Sequence, residues 1–114
     1  SLTYPWGMYA NNYETNDHSI FESVAKKAAS LNGYRTGTAA DVVYPANGCY
    51  EDYVYWKHGS WSLLLELATG SKNDIEDTVP AIASFFEQLD RSPSSKNQFQ
   101  AGCERGVLPD LRME

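Results

Sequence analysis

Trp61-Ser62-Leu63-Leu64-Leu65-Glu66-Leu67 is a nearly continuous apolar run set between Gly59 and Gly70. It is too short for an independent helix, and its bounding glycines predict a strand buried on both faces. Such a strand belongs inside a sheet covered by helices. Glu66 interrupts the run, and a carboxylate at that place is costly unless it is paired, bound to a metal or held at the strand's mouth with a raised pKa. The pattern alone leaves two readings open: a functional carboxylate, or one that pairs with an arginine or caps a neighbouring helix.

Immediately upstream, Cys49 to about His58 reads as a short helix, with Glu51 and Asp52 in its first turn and Lys57 and His58 at its end, each sign placed to suit the helix dipole. Gly59 stops it. Before this helix a loop runs through Val43, Tyr44 and Pro45 to Asn47-Gly48, poor in polar residues for its length and for that reason a candidate functional segment. A weaker extended stretch covers about Tyr34 to Ala39. Asp17 is placed to cap a helix in which Ile20, Phe21, Val24, Ala28 and Leu31 recur at helical spacing, and Asn32-Gly33 ends it. Residues 1 to 16, with Tyr4-Pro5-Trp6-Gly7 and Asn11-Asn12, read as a strand end followed by loop.

On the other side of the run, a helix is expected to start near Asp77 or Thr78 with Pro80 in its first turn. Val79, Ile82, Ala83, Phe86 and Leu89 would form its apolar stripe, ending at about Asp90. Residues 92–114 are punctuated by Ser, Gly and Pro and read as a linker or poorly ordered tail, which leaves residues 1–91 as the folded unit. Strand, helix, strand, helix, strand, helix is an α/β pattern: a partial mixed, mostly parallel sheet flanked by helices. Three short strands make a narrow sheet, so the chain is expected to be part of a larger one.

Composition narrows the function classes. A net charge of −6 and a pI near 4.8 argue against nucleic acid, whose phosphates need clustered Lys and Arg. The longest apolar run is far too short to cross a bilayer, and no charged-then-apolar segment opens the chain, so no membrane partner is expected and the chain reads as soluble and already trimmed. Cys49 and Cys103 match no metal or redox spacing; they could pair or stay as thiols. His18 and His58 lack a His or Cys at i+3 or i+4, so no metal ligand is assigned in this chain and surface capping is the expected role of both. Eight Tyr, three Trp and four Phe bring aromatics to 13%, enough that large ring surfaces must be buried in a core or presented to a ligand.

Tyr44-Pro45-Ala46-Asn47-Gly48, Glu51-Asp52-Tyr53, Gly59 and Leu65-Glu66-Leu67, in that order, resemble a series found in the zinc carboxypeptidases of the pancreatic A and B type. In that family a mobile-loop tyrosine is followed by a small-residue turn, an Asp-aromatic pair on a short helix, a glycine and a strand bearing Glu-Leu. Leu2-Thr3-Tyr4-Pro5-Trp6-Gly7 resembles the family's strand ending in Tyr-Pro-aromatic-Gly, so the likeness covers residues 2 to about 90. It departs at Ala68, where the family usually has Arg, and at Cys49, where the pancreatic enzymes have a second glycine.

The resemblance implies that Glu66 is the general base and Tyr44 the loop tyrosine of an enzyme that hydrolyses the C-terminal peptide bond of peptides. It also implies that Thr3, Ala39, Val43, Ala46, Cys49, Glu51 and Leu64 line the pocket for the substrate's terminal side chain. An acidic residue at the place of Glu51 accompanies cleavage of C-terminal Lys or Arg in the family, whereas Glu51 could equally serve its helix's N-terminus. The family's zinc ligands, a His-x-x-Glu motif and a later His, would lie upstream of residue 1. The expectation is therefore zinc in a full-length parent, none bound by this chain alone, and an inactive isolated chain whose partners are the upstream half of the same catalytic domain and peptide C-termini. A non-catalytic peptide-binding or cell-envelope module, and a related zinc amidase acting on acyl-amino acids or muropeptides, are the alternatives. The family setting favours a secreted or periplasmic location, which the cysteines leave open.

Overall fold

The computed structural model describes residues 1–8 and 14–94. Its elements follow the order β1 (Leu2–Tyr4), α1 (His18–Ala29), β2 (Thr36–Thr38), α2 (Ala39–Val42), α3 (Tyr50–His58), β3 (Leu64–Leu65) and α4 (Lys72–Glu87). The α/β expectation holds. β1 is the middle strand of a three-stranded mixed sheet ordered β2-β1-β3. It pairs parallel with β2, Thr3 opposite Gly37, and antiparallel with β3, Thr3 opposite Leu64. The parallel pair requires a long crossover, which α1 supplies.

Because side chains alternate along a strand, β1 serves both faces of the sheet. Leu2 and Tyr4 point into the helical side and join Phe21, Val24, Ala25, Ala28, Tyr55 and Phe85 in one apolar core. Phe21, with 0% exposure, is its hub: its ring stacks on Tyr4 at 5.2 Å and meets Tyr55 and Trp61 edge-on at 5.2 and 5.1 Å. Thr3 points the other way, to the face that carries the candidate site.

β3 differs from expectation. Only Leu64 and Leu65 form the ladder, at the sheet edge and half-buried, and Glu66 and Leu67 are exposed. The apolar run is continuous in sequence, but β1 offers it only a short partner. The pairing does extend one residue further by backbone, since Glu66 N–H donates to Ser1 O and Ser1 N to Glu66 O, both at 2.9 Å.

The helices bear out their positions more closely than their details. α1 starts at His18 after Asp17, but the Asp17 carboxylate does not cap it; it accepts hydrogen bonds from the Tyr55 hydroxyl and from Ser94 N–H. Leu31, expected in the stripe, lies beyond the helix and is exposed. α3 spans nearly the expected residues and ends at Gly59, whose φ of 61° suits glycine. Ala39, expected to be extended, opens α2, capped by the Thr38 hydroxyl accepting from Asp41 N–H at 3.3 Å.

α4 is the clearest correction. It begins at Lys72, where the Ser71 hydroxyl accepts from Asp74 N–H at 3.2 Å, and Pro80 lies inside it. Its buried residues are Thr78, Ala81 and Phe85, while Val79 and Phe86 are 57% and 46% exposed. Of the expected stripe, Ile82 and Leu89 are half-buried, Leu89 against the core, while Ala83 is exposed with Val79 and Phe86, so the stripe lies at the margin of the packed face and not at its centre. Among the described residues no helix is long and apolar enough to cross a membrane. The expected linker or tail lies outside the described residues except for 92–94, and Cys103 and any pairing with Cys49 lie outside them too.

Candidate active site

The sheet face carrying Thr3 is covered by the chain from α2 to α3. Between them lies a cavity of about 120 Å³ lined by Thr3, Ala39, Val43, Tyr44, Ala46, Cys49, Leu64 and Glu66. Each residue arrives there for a local reason. Thr3 and Leu64 face each other across the β1–β3 pair, and Glu66, two residues on, shares Leu64's face. Ala39 starts α2 where β2 ends, and Tyr44, 64% exposed, follows the end of α2. The Thr3 hydroxyl is buried and has no hydrogen-bond partner among the described residues, so the apolar wall carries one unused polar group.

Of the nine residues the sequence singles out, eight line this cavity and Glu51 does not. Glu51 is 1% exposed, because the first turn of α3 carries it inward. Neither carboxylate oxygen has a full hydrogen bond among the described residues. Burial pushes its pKa up, and contacts with its own backbone N–H and the Cys49 thiol only partly oppose that. The same surroundings act on Cys49, whose thiol is pushed up to about 11 by burial first and then by the Glu51 and Asp52 charges.

Gly7 and Asp52 lie outside this lining but tie together segments that supply it, and sequence reasoning missed their pairing. Gly7 N–H donates to both Asp52 carboxylate oxygens at 3.0 Å, and Gly7 O accepts from Ala46 N–H at 2.6 Å. A Cβ on Gly7 would stand 2.9 Å from Ala39 Cβ and 3.3 Å from Cys49 Sγ, so no larger residue fits without displacing the loop. The strand end, the Tyr44 loop and α3 are thus tied at one glycine. The only sequence signal was the Tyr-Pro-Trp-Gly turn itself, since nothing local links it to an acid on a later helix.

Burial pushes Asp52 up to about 7 and the neighbouring Glu51 charge adds to this, while the Gly7 and Met8 N–H groups pull it down. A carboxyl whose folded value lies above its unfolded value binds more protons in the native state. The stability it contributes is therefore full below about pH 4 and is lost as pH rises through about 7. Urea unfolding at a series of pH values from 4 to 8 should show the wild-type chain losing stability relative to Asp52→Asn as pH rises. Parallel profiles for the two proteins would contradict the assignment.

One cavity thus joins a carboxylate, a loop tyrosine and a wall of small residues. Residues 1–92 match the zinc carboxypeptidase family, and the chain belongs to that family. A search of curated proteins finds no match.

Zinc is the metal that family implies. Among the described residues, no three His, Cys, Asp or Glu side chains gather to hold a metal ion. His18 sits 3.4 Å from Glu14 and meets the Tyr4 ring edge-on, and His58 lies edge-on to Tyr53. The described residues do not fit a zinc site.

Proposed function

We propose that the chain is the portion of a metallocarboxypeptidase that receives the last residue of a peptide and supplies the base for hydrolysis of its C-terminal peptide bond. The observation that carries this reading is the joint lining of one cavity by Glu66, Tyr44, Thr3, Ala39, Val43, Ala46, Cys49 and Leu64. Glu66 is the general base: its carboxylate takes a proton from the attacking water and returns it to the departing amine as the C–N bond breaks. Its backbone is tied to Ser1 at the sheet edge, which sets the residue on a strand end and not on a loop. Tyr44 stands exposed above the cavity, where its hydroxyl can bond the peptide's terminal groups and its ring can shed water from the site.

The metal and the groups that hold the substrate's terminal carboxylate belong, on this reading, to residues of the parent outside this chain. The two histidines of the sequence lie apart from the cavity lining, which supports that division. Titrating the chain with zinc and assaying blocked dipeptides tests it. The expected result is no turnover and zinc affinity no tighter than about micromolar, since a tight site needs at least three placed ligands. Turnover, or stoichiometric nanomolar binding, would overturn the division.

A further inference from the structure

We infer that a second cavity, walled by Trp6, Met8, Tyr53 and Trp56 with the Asp52 carboxylate on its lining, binds an alkylammonium cation. This cavity, about 210 Å³, adjoins the first through Cys49, which lines both. The peptidase reading gives it no task, and the inference does not depend on that reading.

Two properties of the wall choose the ligand. Its apolar part is aromatic: Tyr53 and Trp56 stand at 63° with centroids 6.2 Å apart, forming a corner, and Trp6 comes from the end of β1 to face the same space. Aromatic faces carry the negative end of the ring quadrupole and attract cations, quaternary ammonium groups above all. The Trp56 ring already draws one, with Lys57 Nζ 5.6 Å from its centroid.

Its polar part is an acid without a counter-charge. Asp52 is 8% exposed and, among the described residues, no Lys, Arg or His pairs with it or with Glu51 beside it. Gly7 N–H offers Asp52 a dipole but no charge. Burial leaves this carboxyl at about 7, the condition of an acid that a cation would relieve. An anion is excluded by the same carboxylates, and by a chain whose net charge is −6. A bare metal ion would require several oxygen ligands that this wall lacks. A cation wrapped in methyl or methylene groups satisfies both the rings and the acid.

The test uses the full 114-residue chain at pH 8, with tryptophan fluorescence as readout. Titrate with n-butyltrimethylammonium, n-butylammonium and the neutral isostere 3,3-dimethylbutan-1-ol. Saturable quenching by at least one cation is expected, with the alcohol about tenfold weaker or more. Whichever cation binds more tightly identifies a methylated or a primary amine as the natural group. Asp52→Asn should weaken the cation by about tenfold and leave the alcohol unchanged, and Trp56→Leu should remove saturable binding. If a variant loses its helical circular dichroism, the wild-type preference for cation over alcohol still decides. Equal binding of alcohol and cations, or no saturable change with any of them, would overturn the inference.

Discussion

Replacing Glu66 by Gln, in a protein that carries this chain together with a complete metal site, is expected to lower kcat by about a hundredfold or more while zinc content stays at the wild-type level. The amide keeps the shape of the side chain and its place beside Leu64 and Thr3, but it cannot accept the proton that the attacking water must lose. Substrate affinity should change little, because the cavity wall and Tyr44 are untouched. The measurement is steady-state kinetics on a blocked dipeptide, with metal content determined on the same sample. Near-normal turnover would make Glu66 a structural residue of the sheet edge and would remove the base from the mechanism.

The second large effect is on folding. Phe21→Ala should destabilise the chain by about 3–5 kcal/mol, the range for deleting a buried aromatic ring. Small domains are stable by only about 5–15 kcal/mol in all. Phe21 is fully buried, and its ring touches those of Tyr4, Tyr55 and Trp61, which come from different parts of the chain, so neighbours cannot collapse into the space without breaking other contacts. The expected outcome is a cooperative thermal transition shifted far down or lost. Phe86→Ala is the internal comparison, with a change of about 0.5 kcal/mol or less, because that ring stands on the outer side of α4. If Phe86→Ala proved as damaging as Phe21→Ala, the helix would pack through the stripe its periodicity suggests.

That contrast shows where sequence was a sufficient guide. Phe21, Val24 and Ala28 were legible as the buried side of α1 because the helix carries its period without a breaker and packs on a single side. α3 was legible from its ends, with acids first and a glycine last. α4 was misread because Pro80 is compatible with a helix start, and the Ser71 cap that sets the true start lies in a polar stretch with no apolar period. β3 was overestimated because apolar content says that a segment is covered, not how much partner strand is there to pair with it.

For the candidate site, the residues that line the first cavity were legible through their likeness to a family, and their gathering follows from strand alternation and the α2–α3 loop. Glu51 was not legible, since charge in a first helical turn suits both solvent and burial and only the packing of α3 decides between them. The Gly7–Asp52 tie and the aromatic cavity beside it are tertiary pairings between distant segments. No local pattern encodes them.

The shared use of β1 by core and cavity has a consequence for how such a chain can change over generations. Leu2 and Tyr4 face one side and Thr3 the other, so the odd or even place of a residue in this strand decides whether it serves the core or the cavity. Gaining or losing one residue there would exchange the two sets, putting a tyrosine in the cavity and a threonine in the core at a single stroke. A change of two would keep the parity. Length variation in this strand should therefore be tolerated in pairs and rejected singly, so that the packing of the core and the shape of the cavity are inherited together as one counted property of a three-residue strand.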